Sequence, residues 1–149
     1  MMLSQRQIKL IRSLHSRKGR DRNGQCIIEG TRSIQAALDA GATFELILYS
    51  PDAATQNCLN TARDLGIHVS EVTPAEMATY SVVLTPPGVM GVASSPVSDA
   101  QELLQLNSVV LLDGVQDPGN AGTLIRSAAW FGVEGILAAA GTVDLFSPK

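Results

Sequence analysis

The chain has 149 residues, of which 45% are hydrophobic and 17% charged, with a formal net charge of −3. This is the composition of an ordinary globular chain, long enough for one good domain or for a small domain plus part of another. No apolar run reaches the ~20 residues needed to span a bilayer, and the charged N-terminus lacks the apolar core of a secretion signal. The charge is unevenly spread. Residues 1–32 hold eight Lys and Arg against two acids, a net of +6, whereas residues 33–149 hold three against twelve, a net of −9. A positive head on an acidic body points to a polyanion bound at the N-terminal end. Cys26, Cys58, His15 and His68 show no metal-ligand spacing, so no metal is expected, and isolated cysteines fit a reducing cytoplasm.

In chain order, Ser4 opens a helix: it can cap, Gln7 can complete a capping box and Leu3 can staple against Ile8. Ile8, Ile11 and Leu14 form an apolar stripe, with Arg6, Lys9 and Arg12 on another face. The run Arg17-Lys18-Gly19-Arg20-Asp21-Arg22 reads as a loop whose mobile cations can follow phosphates. Packing of the helix on its own domain and contact with an RNA backbone are both open readings. Residues 1–32 contain no Tyr or Trp on which single-stranded bases could stack.

Gln25–Glu29 reads as a strand, Gly30-Thr31 as a tight turn, and Arg32–Ala40 as a helix closed by Gly41. Arg32 sits poorly for the helix dipole, which favours a partner such as a phosphate or Glu29. A strand over Phe44–Ser50, a helix over roughly Ala53–Leu65 stopped by Gly66, and a strand over Ile67–Val72 follow. Thr73 caps the next helix with Pro74 at its first position. After Thr85-Pro86-Pro87-Gly88, Val89–Ala93 reads as a closing strand. The order β-α-β-α-β-α-β predicts an α/β/α sandwich. Ser94–Ser98 reads as a linker, and Asp99 as the cap of a short helix through Leu106. The expected boundaries are therefore a basic helix and loop at 1–23, an α/β domain at 24–95, a linker with a short helix at 96–106, and a further α/β piece at 107–149.

That last piece organises the chain. Val109–Leu112 suits a strand buried on both faces. A loop with Gly114, Pro118 and Gly119 follows, and Asn120 stands where a helix cap belongs. Leu124, Ile125, Ala128, Ala129 and Phe131 form the helix's apolar side, Gly132 stops it, and Val133–Ala138 is the next strand. The unit is a βαβ crossover with a loop facing a ligand at the carboxyl end of its first strand. The glycine spacing is not that of a dinucleotide fingerprint, and Pro118 interrupts it. Asp113, Asp117 and Gly119 are turn formers. Asn120 has two open roles: a cap, which contributes about 1 kcal/mol, or a group in a site. Arg126 shares a face with Gly122, Ala129 and Trp130. Either its stem packs on Trp130 with the head in water, or the small residues let another chain approach its guanidinium.

Leu112-Asp113-Gly114, Asp117-Pro118-Gly119-Asn120, Gly122, Arg126, Ala128 and Phe131-Gly132, with Asp144 and Ser147-Pro148-Lys149 downstream, resemble the first motif of the SpoU (TrmH-type) RNA ribose methyltransferases of the knotted SPOUT superfamily. The earlier residues are similar to that family's substrate-binding domain. The resemblance implies an α/β chain: an N-terminal α/β/α sandwich of ribosomal-protein-like, RNA-binding fold, then the first βαβ unit of a truncated, knotted methyltransferase domain. It implies methyl transfer from S-adenosylmethionine to a ribose 2′-hydroxyl of structured RNA, with rRNA favoured over tRNA, in a cytoplasmic homodimer without a metal. Asn120 and Arg126 become the candidate catalytic residues, and Arg17, Lys18, Arg20, Arg22 and Arg32 the candidate RNA contacts. A guanidinium is very hard to deprotonate in a protein, so orienting a phosphate asks less of Arg126 than acting as a general base. The family's later motifs, with the residues that hold the methyl donor, are expected beyond Lys149, and the chain alone is expected to be inactive. The alternative is a non-catalytic RNA-binding or assembly protein that keeps only the substrate-binding domain.

Overall fold

A computed structural model describes residues 3–53, 56–96 and 100–148. They belong to two units, one over Met1–Ser95 with Phe146–Lys149 and one over Pro96–Leu145.

The first unit begins with α1 (Gln5–Leu14). Ser4 Oγ accepts from the Gln7 amide, and Gln7 Oε1 accepts from the Ser4 amide at 2.9 Å, so the expected capping box forms. Ile11 and Leu14 are fully buried, and Leu3 and Ile8 pack against the same core. The basic stretch that follows is a correction to the expected loop: it is a second helix, α2 (Arg17–Asn23). Ser16 Oγ caps it by accepting from the Gly19 amide at 3.1 Å, and Gly24, at φ 60°, ends it in the left-handed conformation. Gly19 inside a helix costs about 1 kcal/mol in propensity, but any side chain there would run into the Ser13 carbonyl. Close approach of the two helices overrides propensity.

Next come β1 (Gln25–Glu29), α3 (Thr31–Asp39), β2 (Phe44–Tyr49), α4 (Gln56–Asp64), β3 (His68–Glu71), α5 (Pro74–Tyr80) and β4 (Val89–Ser94). Elements and order are those expected. The expected start of α4 falls partly on residues 54 and 55, outside the described residues. The sheet order is β1-β4-β2-β3, with β4 antiparallel to both neighbours and β2 parallel to β3. Alternation along the strands feeds two cores. Ile27, Leu46, Leu48, Met90 and Val92 face Ile11 and Leu14 of α1 and Met77 of α5. Cys26, Phe44, Ile47, Val89 and Ala93 face Ile34 and Leu38 of α3 and Cys58, Leu59 and Ala62 of α4. The α/β/α sandwich is thus closed on both faces. Gly91 makes room in the second core: a Cβ there would stand 2.6 Å from Phe44 Cε1.

The second unit contains α6 (Ala100–Leu103), β5 (Val109–Leu112), α7 (Pro118–Trp130) and β6 (Gly135–Ala138). The cap expected at Asp99, with Val97 and Ser98 of the linker, lies outside the described residues. β5 and β6 pair in parallel, Val109 opposite Gly135 and Leu112 opposite Ala138, with α7 as the crossover. Gly132, at φ 75°, ends α7: its amide reaches the Ala129 carbonyl and the Val133 amide reaches that of Ala128, a Schellman closure. One expectation fails. β5 is not buried on both faces: Leu112 is 3% exposed but Leu111 is 63% exposed, because a two-stranded sheet with one helix covers only part of its surface.

Candidate active site and nucleic-acid interface

The glycine loop leaves β5 at Asp113, turns at Gly114 (φ 63°) and enters α7 at Pro118. The cap of α7 is Asp117, not Asn120. Its Oδ1 accepts from the Asn120 amide at 2.7 Å, and Pro118 takes the first helical position, where the missing N–H costs nothing. This corrects the sequence reading and removes one of the two roles open to Asn120. Its side chain is exposed, on the third residue of the helix, and makes no hydrogen bond with any described residue.

Arg126 is exposed six residues further along α7. Its Nη2 donates to Thr123 Oγ1 at 3.3 Å, and Thr123 Oγ1 donates to the Gly119 carbonyl at 2.9 Å. Its Nη1 lies 3.4 Å from where a Cβ on Gly122 would stand. The head therefore folds back toward the start of the helix, over Gly122 and Thr123, and not toward Trp130. Trp130 itself is 86% exposed. Between residues 96 and 145 Arg126 is the only Lys or Arg, against six Asp and Glu, yet it forms no ion pair among the described residues. An exposed amide with no hydrogen bond among the described residues, and an exposed guanidinium bonded to Thr123, thus stand on the helix that follows the glycine loop.

The stretch after β6 returns to the same loop. The Leu112 carbonyl accepts from the Ala139 amide at 2.9 Å and from Thr142 Oγ1 at 2.8 Å, and the Val115 carbonyl accepts from the Val143 amide at 2.8 Å. Thr142 is 8% exposed. It ties the two strand ends together, and sequence reasoning passed over it, because a threonine near a glycine carries no local signal of a bond made 30 residues away. The carboxyl ends of parallel strands are where open α/β sheets take ligands. Here Gly114 and Gly141 (φ 91°) present backbone with nothing within 4 Å of a notional Cβ.

The basic head divides. Arg17, Lys18 and Arg22 are exposed on α2, Arg17 within 3.9 Å of Asp21 in a pair exposed enough to contribute little. Arg20, expected among the mobile cations, is instead 6% exposed, and its Nη1 donates to the Leu14 carbonyl at 2.7 Å. It fastens α2 to the end of α1. Arg32 is exposed on α3 and borders an open groove of about 430 Å³ with Gln35, Asp39 and Asn57. Glu29 serves another purpose than pairing with it: its carboxylate accepts from Ser81 Oγ at 2.6 Å and from the Val82 amide at 3.1 Å. No group of three or more His, Cys, Asp or Glu placed to hold a metal ion occurs among the described residues, and none of their helices is long and apolar enough to cross a membrane.

Residues 5–91 match the family model of the MRM3-like substrate binding domain. The mitochondrial rRNA methyltransferase 3 of Xenopus laevis is 32% identical over 148 residues, covering 95% of this chain and 35% of that protein. The 23S rRNA (guanosine(2553)-2′-O)-methyltransferase RlmP of Bacillus subtilis is 29% identical over 142 residues, covering 95% of this chain and 54% of that protein. The fold is similar to that of the AdoMet-bound rRNA methyltransferase of Sinorhizobium meliloti, at TM-score 0.76 and 31% identity over 99% of this chain and 56% of that one. This chain therefore spans about a third to a half of the length of the curated relatives it matches. A matched domain over more than half its residues, with the mixed α/β architecture of solved SpoU methyltransferases behind it, makes the chain a member of the SpoU/TrmH-type RNA methyltransferase family, carrying an MRM3-like substrate-binding domain.

Proposed function

We propose that this chain supplies the RNA-binding domain and part of the active site of an enzyme that methylates a ribose 2′-hydroxyl in structured RNA, rRNA in preference to tRNA. The observation that carries the reading is the pair on α7: Asn120 is relieved of capping by Asp117, and Arg126 is held over Gly122 with no ion pair among the described residues. S-adenosylmethionine, when bound, supplies an electrophilic methyl group. The open backbone at Gly114 and Gly141 offers it one wall at the strand ends. The Asn120 amide orients the ribose hydroxyl by hydrogen bonding. The Arg126 guanidinium holds the adjoining phosphate and balances negative charge that builds on the ribose oxygen as its proton passes to water. Arg17, Lys18, Arg22 and Arg32 hold the RNA backbone at the first unit. The family's later motifs complete the donor site, a homodimer is the working form, and the cytoplasm is its location.

The test is methyl transfer to rRNA by the whole protein in which this chain occurs, read as resistance of one ribose to alkaline cleavage. Arg126→Ala should lose about a hundredfold or more in rate, as removal of one donor to a developing oxyanion does. Asn120→Ser should lose rate with helix content unchanged. Full activity in both variants refutes the assignment. A second reading is a non-catalytic RNA-binding or assembly protein that keeps only the substrate-binding domain, the part that residues 5–91 match. It predicts RNA binding with no methyl transfer under any condition.

A further inference from the structure

The two helices at the head of the chain sort their residues sharply. On α1, Ile11 and Leu14 enter the core while Arg6, Lys9 and Arg12 stay exposed. On α2, Arg17, Lys18, Asp21 and Arg22 occupy the exposed arc, and Gly19 and Arg20 are buried. The corner between them is rigid for three separate reasons. Gly19 lies so close to Ser13 that no side chain fits. Arg20 donates to the Leu14 carbonyl from inside the protein. Asn23 Nδ2 donates to the Gly19 carbonyl at 2.6 Å and to Ser13 Oγ at 3.2 Å. His15, at the end of α1, donates from Nε2 to the Tyr80 carbonyl at 2.8 Å, which fixes the corner to α5.

We propose that this α1–α2 corner is a preformed seat for the sugar–phosphate backbone of double-helical RNA, recognised by charge and shape and not by its bases. The proposal rests on the RNA-binding reading above and names the class of RNA that the head of the chain takes. The backbone that carries six exposed cations within residues 6–22 is set in place when the protein folds, so no segment has to be ordered on binding. Fixed cations match a partner whose phosphates are themselves fixed. An A-form duplex is such a partner, since its deep groove hides the bases and proteins meet it through phosphates and 2′-hydroxyls. A flexible single strand is held instead by aromatic platforms. Among the described residues of this unit no Phe, Tyr or Trp is exposed: Phe44 and Tyr80 are buried, and Tyr49 and Phe146 are half-buried. Arg20 acts here as a positioning residue, through Leu14, and does not touch RNA. Asp21 sits among the cations and works against them.

The experiment is fluorescence anisotropy with the chain as it stands, using a blunt RNA duplex and, separately, one of its strands, each across a series of salt concentrations. The duplex should bind more tightly. Replacing Arg17, Lys18 and Arg22 together by Gln, all exposed and outside the core, should reduce the salt slope for the duplex by about two to three, at ~0.7–0.9 per phosphate contact. Asp21→Asn should tighten duplex binding. Gly19→Ala keeps every charge but forces α2 away from α1; if the variant folds, the preference for duplex over single strand should fall while single-strand affinity holds. If it does not fold, the triple Gln variant alone decides. Equal or tighter binding of the single strand, or a duplex salt slope unchanged in the triple variant, overturns the proposal and leaves the enzyme reading standing. Failure to bind either RNA overturns both.

Discussion

The two units solve the burial of apolar side chains to different degrees. In the first, helices cover both faces of a four-stranded sheet, and Leu46, Ile47, Leu48, Val89 and Met90 are fully buried. In the second, two strands and a crossover helix leave Leu111 63%, Leu137 40%, Trp130 86% and Phe131 83% exposed. The first unit contains the partners that its own sheet needs. The second holds its shape largely through its strand ladder, the cap and Schellman closure of α7, and the bonds from Thr142 and Val143 to the loop after β5. An uncovered apolar surface of this kind marks a place where other protein belongs, and invites association until it is covered.

The largest effect that sharpens this contrast should come from matched truncations. Leu46→Ala, in the first core, should destabilise by about 2–5 kcal/mol in denaturant unfolding, whereas Leu111→Ala, on the exposed side of β5, should stay within about 0.5 kcal/mol. Equal losses at the two positions would mean that the second sheet is covered in solution. The next effect lies at the helix start. Asp117→Ala should cost about 1 kcal/mol of α7 stability, read by amide exchange along residues 119–123, while Asn120→Ala should cost little. The opposite ranking would restore Asn120 as the cap and weaken its assignment to the site.

The smallest effect is with pH, and it compares one carboxylate from each unit. Glu76 is held below the usual carboxylate range, first by the backbone N–H of Thr73 and then by the Thr73 hydroxyl. Glu134 is lowered by the Asn107 side-chain amide and then by the Asn107 backbone N–H. A carboxylate lowered in the folded state stabilises it above the ordinary value near 4.5 and loses that contribution as pH falls through the folded value. Both residues are fully exposed, so the changes should be local: fraying of the capping box at the start of α5, and loosening of the turn before β5, each followed by NMR on acidification. Glu76→Gln and Glu134→Gln should each flatten the corresponding titration. A fall in global stability that neither substitution alters would place the acid sensitivity elsewhere.

Much of this was legible because local sequence carries it. Ser4 with Gln7 marks a capping box, and Thr73 with Pro74 a helix start. The alternation in β2 and β4 marks strands, and Gly132 after Trp130-Phe131 marks a stop. The Asp117-Pro118 pair also carries a local signal, a cap followed by proline at the first helical position, although the sequence reading takes Asp117 as a turn former and places the cap at Asn120. The exposure of Asn120 and Arg126 accords with polar side chains on a crossover helix.

Other features were decided only when distant residues met. α2 exists because Gly19 can touch Ser13, so a residue that argues against a helix locally becomes the one that permits it. Arg20 looks like its neighbours in sequence and is separated from them by a bond to the Leu14 carbonyl. Glu29 binds Ser81, 52 residues away, and β4 inserts between β1 and β2 against the order of the chain. From the sequence alone came the helix and strand signals, the uneven charge and the Asn-x-Gly-x-x-x-Arg motif, since each depends on neighbours a few residues apart. Which cations face water, which residue caps α7 and which apolar faces stay open belong to the tertiary structure, because burial and hydrogen-bond partners are settled by whatever the fold brings alongside.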